Sequence, residues 1–220
     1  MKIIWQPTDD TGRSGLAAVV EQYDAVPPIS KLLFDGAPRL LTAERMGAAA
    51  ALAFGRFSSG SVVLPRPVAP ALAQAIQDYC AGSWTVVSPV VFEPAALPVG
   101  ASTFVLGAPP EFRPDNEWGR PRQFKLDIRR ADAYAGQLAS MDELIIASNA
   151  YLHAATDDVT DIGHFLGDLA VAVLFSESLQ VDSIALPHTV DLGSAASQKI
   201  QNILAACRLG LTSQEDPTAA

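Results

Sequence analysis

Ser61-Val62-Val63-Leu64-Pro65 and Ser183-Ile184-Ala185-Leu186-Pro187 are two renderings of one pattern, an apolar run that starts on serine and stops at Leu-Pro. Each reads as a short buried strand, because a proline cannot donate to a sheet ladder and so marks where pairing ends. A valine stands three residues past each proline, Val68 and Val190. Further on, Gln74, Ile76, Gln77 and Ala81 fall on Gln198, Ile200, Gln201 and Ala205 with one two-residue gap. Gly47 in the preceding Ala-rich run falls on Gly167, and Lys2-Ile3-Ile4 agrees in type with Lys125-Leu126-Asp127.

Self-similarity of this kind reports architecture. The expectation is an α/β fold with mostly parallel strands and flanking helices, made of two related β-α-β-α-β-α halves that arose by internal duplication. Residues 1–82 form the first repeat and 122–211 the second. Connecting strands and a Pro-rich loop occupy 83–121, and a polar tail occupies 212–220.

Working outward, runs rich in Val and Ile alternate with runs at helical spacing. Strands are expected at Lys2–Gln6, Lys31–Phe34, Ser61–Leu64, Trp84–Phe92, Thr103–Leu106, Phe124–Ile128, Glu143–Ser148 and Asp182–Leu186. Helices are expected at Ser14–Tyr23, Thr42–Phe54 with Thr42 as N-cap, Pro70–Cys80, Asp132–Leu138, Asp161–Phe175 and Gly193–Leu209. Leu52, Phe54, Val62, Leu64, Ile76, Ile145, Leu169, Val173, Ile184, Leu186, Ile200 and Leu204 are the expected core.

Composition narrows the function. The 220 residues are 49% hydrophobic and carry a net charge of −9, which opposes sequence-independent nucleic-acid binding because that needs a basic surface. The arginines at 113, 120, 122, 129 and 130 are interleaved with Glu111, Asp115, Glu117 and Asp127, so they read as a mixed solvated surface. The uncharged run between Arg45 and Arg56 is far short of the ~20 residues a bilayer requires, so no membrane span is expected. The opening Met1-Lys2-Ile3-Ile4-Trp5-Gln6-Pro7 has no signal-peptide pattern, and Cys80 and Cys207 are two buried structural thiols without metal spacing. The cytoplasm is the expected location.

In parallel sheets ligands bind beyond the carboxyl ends of the strands, so the loops there are the places to search. The first loop holds Arg13, Ser14 and Gly15 at an expected helix start, where free backbone N–H groups would meet an anion. Arg66 follows the third strand. The loop after Glu143–Ser148 holds His153, Asp161 and His164 among other carboxylates, and His188 follows the next strand. Asp161, His164 and Asp168 share a narrow arc if the segment is one α-helix. Such histidine and carboxylate mixtures perform acid–base chemistry or bind a divalent metal, so His153, His164, His188 and Asp161 are the candidate catalytic residues.

Two functions are therefore expected from the sequence. One is an anionic small molecule bound at the strand carboxyl edge, with acid–base or metal-assisted chemistry such as hydrolysis performed on it. The other is a non-catalytic accessory subunit that works through a protein partner or a second copy of itself, with Trp118 as an anchor. Convergence of the histidines would favour the first.

Overall fold

Alternate residues of the strands enter one apolar core. In the first half these are Ile3 on β1 (Lys2–Gln6), Leu16 and Ala18 on β2 (Arg13–Val19), Leu32 and Phe34 on β3 (Lys31–Asp35), and Val62 and Leu64 on β4 (Ser61–Val68). In the second they are Phe104 and Leu106 on β6 (Ser102–Leu106), Phe124 and Leu126 on β7 (Arg122–Arg130), Leu144 and Ile146 on β9 (Glu143–Ser148), and Ile184 and Leu186 on β10 (Val181–Leu186). The pairings Ile3↔Ala18, Leu16↔Leu32, Leu126↔Leu144, Phe104↔Phe124 and Ile184↔Phe104 put all of them on one face, since side chains alternate along a strand. This computed structural model describes residues 1–80, 85–93, 96–109, 112, 114 and 121–214.

With β5 (Val86–Val90), β8 (Gln137–Ala139) and β11 (Gly210–Ser213), the strands form one 11-stranded mixed sheet, mostly parallel. Its order is β11-β10-β6-β7-β9-β3-β2-β1-β4-β5, with β8 added alongside β9. Taken separately, the halves run β3-β2-β1-β4-β5 and β9-β7-β6-β10-β11. They meet at β3 and β9, which are antiparallel and share the registered pair Phe34↔Ser148.

Four α-helices cover the core face: α1 (Ala43–Phe54), α2 (Pro70–Tyr79), α3 (Leu166–Ser176) and α4 (Ala195–Ala206). Thr42 caps α1 by accepting from the Arg45 N–H, and Ser194 caps α4 by accepting from the Ser197 N–H. α1 packs on α3 and α2 on α4. Every residue of α1 from Glu44 to Phe54 is buried, and so is every residue of α3 except Asp168. Helices this apolar on all sides must be enclosed on all sides.

Close approach of α3 needs Gly167, because a Cβ there would lie 2.0 Å from the Ala150 carbonyl oxygen. Arg45 is buried in the same region, donating to Ser176 Oγ at 2.8 Å and to the Val181 carbonyl at 3.1 Å. Glu177 accepts from the Thr42 N–H at 2.6 Å, so the start of α1 is tied to the end of α3.

Several expectations change. Ser14–Tyr23 is not a helix, since β2 fills Arg13–Val19. Ser14, Gly15, Leu16, Ala17 and Ala18 are all buried, so the strand lacks the alternation that identifies one. A Gly15 Cβ would lie 2.2 Å from the Leu32 carbonyl oxygen, so only glycine permits this strand spacing. Asp132–Leu138 is not a helix either; turns lead into β8. The segment from Asp161 starts as a 3₁₀ turn, Ile162–Phe165, before α3 begins.

The supposed tail contributes Thr212 and Ser213 to β11. β1, β2 and β3 form an antiparallel meander, and the helices lie on one side of the sheet rather than flanking both. The stretch Ile162–Leu179 is long and apolar enough to cross a membrane by composition, but it is packed inside the fold. Trp84 and Trp118 lie outside the described residues.

Candidate functional site

The antiparallel seam divides the residues first considered as one site. Because β3 opposes β9, the carboxyl ends of the parallel strands point to opposite edges in the two halves. His153, His164 and His188 follow β9 and β10 at one edge, whereas Arg66 lies near the carboxyl end of β4 at the other. Arg13 joins Arg66 there, since its Nε lies 3.0 Å from Asp35 at the end of β3.

The first loop is therefore no anion site of the kind expected. Ser14 and Gly15 sit inside β2 rather than at a helix start, and Ser14 is fully buried with its hydroxyl 2.9 Å from that of Thr8. Arg13 is neutralised by Asp35, and Arg66 donates to the Leu41 carbonyl at 3.2 Å from an exposed position.

The histidines lie on the expected side of the second half, but the rings of His153 and His164 bond to backbone carbonyls. His153 is 2% exposed, its Nε2 is 3.2 Å from the Lys31 carbonyl oxygen, and its ring stands edge-on to Phe54. Burial pushes its pKa down, and the Arg56 charge adds to that shift, so the ring is held neutral. His164 Nδ1 is 3.2 Å from the Thr156 carbonyl oxygen, and His188 is exposed.

Asp161 is spent partly as a cap, accepting from the Gly163 N–H at 2.6 Å. Neither Asp161 nor Asp168 hydrogen-bonds a histidine among the described residues, and no three His, Cys, Asp or Glu side chains there gather as metal ligands. Cys80 and Cys207 are buried thiols, with burial raising them to about 11 and about 12.

One of these residues does line a cavity. Asp161, Ala155, Ile162, Gly163 and Leu166 line a space of about 220 Å³ together with Arg56, Tyr79, Ala196 and Ile200. Arg56 is delivered by the 3₁₀ turn Gly55–Phe57 that ends α1, and Tyr79 is the last residue of α2. Gly55 allows the tyrosine close, since a Cβ there would meet the ring at 3.2 Å.

The guanidinium is held firmly. Arg56 Nη2 donates to the carbonyls of His153 and Ala154, both at 3.1 Å, and the group lies 4.5 Å from the centroid of the Phe57 ring. Its Nε is buried without a partner, and among the described residues no carboxylate forms an ion pair with it. Burial lowers the Arg56 pKa, and it raises that of the Tyr79 phenol, which therefore stays a neutral donor. The Tyr79 hydroxyl has no hydrogen bond to a described residue. A cation without a described ion-pair partner and a hydroxyl without a described acceptor stand beside Ile162, Leu166 and Ile200, so the cavity offers both polar and apolar walls.

Sequence reasoning passed over Arg56 and Tyr79. The only local signal is that Arg56 is the first charge after ten uncharged residues, Met46 to Gly55. Comparison with protein-family models, with curated proteins and with solved structures gives no match to this chain.

Proposed function

We propose that this protein binds a small organic anion, with an acidic head and a short apolar body, in the cavity between Arg56 and Leu166. The observation that carries this reading is the half-buried Arg56 guanidinium, which has a buried unpartnered Nε and no ion pair to a described carboxylate. A charge partly removed from water without a counter-ion is costly, and an incoming carboxylate would reduce that cost. Tyr79 would donate a second hydrogen bond to the head, and Ile162, Leu166 and Ile200 would receive the body. His153 has a positioning role here, because its carbonyl accepts from Arg56 while its ring anchors the same turn to β3.

The reading is of a binding protein. His153 and His164 take part as fold elements, Asp161 as a cavity wall and cap, and the exposed His188 takes no part. Benzoate and butyrate are suitable probes in a thermal-shift and calorimetric titration, with benzamide and butyramide as neutral isosteres. Saturable binding of the carboxylates but not the amides, lost in Arg56→Met and weakened in Tyr79→Phe, is the expected result. Equal behaviour of acid and amide would refute the reading.

We further infer that the two halves descend from one duplicated unit. The shared strand order supports this, as does the equivalent placing of β4 with β10, α2 with α4, and Gly47 with Gly167. The direction of one strand counts against it: β2 is antiparallel to its neighbours and β7 parallel. The position of β1 is also held by β6 rather than by β7, so Lys2–Ile4 and Lys125–Asp127 are not equivalent. Superposition of 1–80 on 102–209 with the helices out of register would remove the inference.

A further inference from the structure

The Arg56 cavity has a second charged group on its lining, of the opposite sign. The exposed Asp161 borders the same space of about 220 Å³. Its Oδ1 accepts from the Gly163 N–H at 2.6 Å. Among the described residues, its Oδ2 has no hydrogen bond and no cation forms an ion pair with the carboxylate. Arg56 is also only partly satisfied. Its Nη2 donates to the carbonyls of His153 and Ala154, and among the described residues its Nη1 has no acceptor. The two charges line one cavity yet form no ion pair with each other.

We propose that the ligand of this cavity is a free α-amino acid with an aliphatic side chain, an inference that rests on the reading of Arg56 as the anchor for a carboxylate. The charges carry it. Among the described residues, one cation and one carboxylate line the space, so a bare organic anion would satisfy Arg56 but meet the like charge of Asp161. A zwitterion answers both. Its carboxylate accepts from Arg56 Nη1 and from the Tyr79 hydroxyl, while its ammonium, with three donors and no acceptor, donates to Asp161 Oδ2. Hydrogen bonds between charged groups are shorter and stronger than those between neutral ones.

Shape narrows the class further. Ile162, Leu166 and Ile200 are buried and give the cavity its apolar lining. An α-amino acid directs its side chain away from both charged groups, so the apolar residues receive a part of it too. An ω-amino acid spends its methylenes between the charges and leaves nothing for them. A space of about 220 Å³ also lies below the roughly 300–1,000 Å³ of pockets for drug-sized ligands, which favours a free amino acid over a peptide. Asp161 thus serves twice, with one oxygen as a cap and the other as the ammonium acceptor.

The test is a calorimetric titration of the full chain with leucine and norvaline. The comparators are their deaminated counterparts, isocaproate and valerate, and the ω-amino acid δ-aminovalerate. Leucine and norvaline are expected to bind about tenfold or more tighter than the deaminated acids, an advantage lost in Asp161→Asn. Asparagine keeps an oxygen for the Gly163 N–H, and Asp161→Ser, which places another capping residue there, serves if the first variant fails to fold. Deaminated acids that bind as well as the amino acids, or better, would overturn this inference and leave the carboxylate reading standing. Tighter binding of δ-aminovalerate, or an amino-acid advantage that survives in the folded variants, would do the same. Absence of saturable binding by acids and amino acids alike would overturn both.

Discussion

Asp168 gives the protein a stability that should decline as pH rises. It is the one residue of α3 that is not fully buried, and no described residue hydrogen-bonds or ion-pairs with it. It lies in the first turn of α3, where the helix dipole favours a negative charge by about 0.3–1 kcal/mol. Burial outweighs that effect and raises the carboxyl from 3.8 to about 7.

The folded chain thus retains a proton that the unfolded chain has released across this interval. The stabilisation is complete below the unfolded value of 3.8 and is lost as pH rises through about 7. At about 1.4 kcal/mol per pKa unit, a shift of this size sets a ceiling near 4 kcal/mol, and the group's partial contact with water reduces it to about 2–4 kcal/mol.

Asp168→Asn removes the titration while keeping nearly the same shape. Urea denaturation of both proteins should show similar stability near pH 4 and an advantage of about 2–4 kcal/mol for the variant near pH 8. Comparing the two at each pH cancels carboxylates such as Asp9, Asp24 and Asp158, whose lowered values act in the opposite, acidic direction. A difference that stays constant from about pH 4 to pH 8 would show that the Asp168 carboxyl is not desolvated, and the reasoning would fail.

Other perturbations act through packing. Leu52 and Leu169 are fully buried, so either leucine-to-alanine change should cost about 2–5 kcal/mol in urea denaturation. Gly167→Ala should be destabilising by at least about 1–3 kcal/mol, because its Cβ meets the Ala150 backbone; Gly60→Ala, with nothing within 4 Å, is the neutral control. His153→Gln should lower the thermal midpoint by loosening the turn that holds Arg56, at a cost of about 1–3 kcal/mol, and should weaken carboxylate binding only as far as that turn moves. His164→Gln should alter stability and leave carboxylate binding intact, which calorimetry would check.

Much of the fold is legible locally. β4 runs on past the expected stop at Pro65 to Val68, but the Leu186-Pro187 strand end, the Ala-rich run after Thr42 and the Ile-Gln helices fall where the sequence puts them, and all twelve expected core residues are buried. Period and proline placement suffice there, because burial on one face leaves a repeating mark. β2 escapes for the opposite reason: small residues buried on both faces leave no alternation, and Ala17 and Ala18 suit a helix as well as a strand. Ile145 is buried, yet on the face away from the main core, a distinction that alternation alone does not supply.

The site was a tertiary decision. Strand direction across the β3–β9 seam depends on a contact between residues 34 and 148, and no local pattern in either segment encodes it. That one antiparallel pair sends Arg13 and Arg66 to one edge and the histidines to the other. The Arg56 cavity is likewise assembled from the end of α1, the end of α2, the loop at 155–166 and α4, so the burial of its Nε exists only once all four have met. The sequence determined most of the strands and helices and the expected core, because those follow from side-chain period and backbone preference over a few residues. The tertiary structure decided which charges lose their water and which keep a partner, because desolvation depends on chain segments that are remote in sequence.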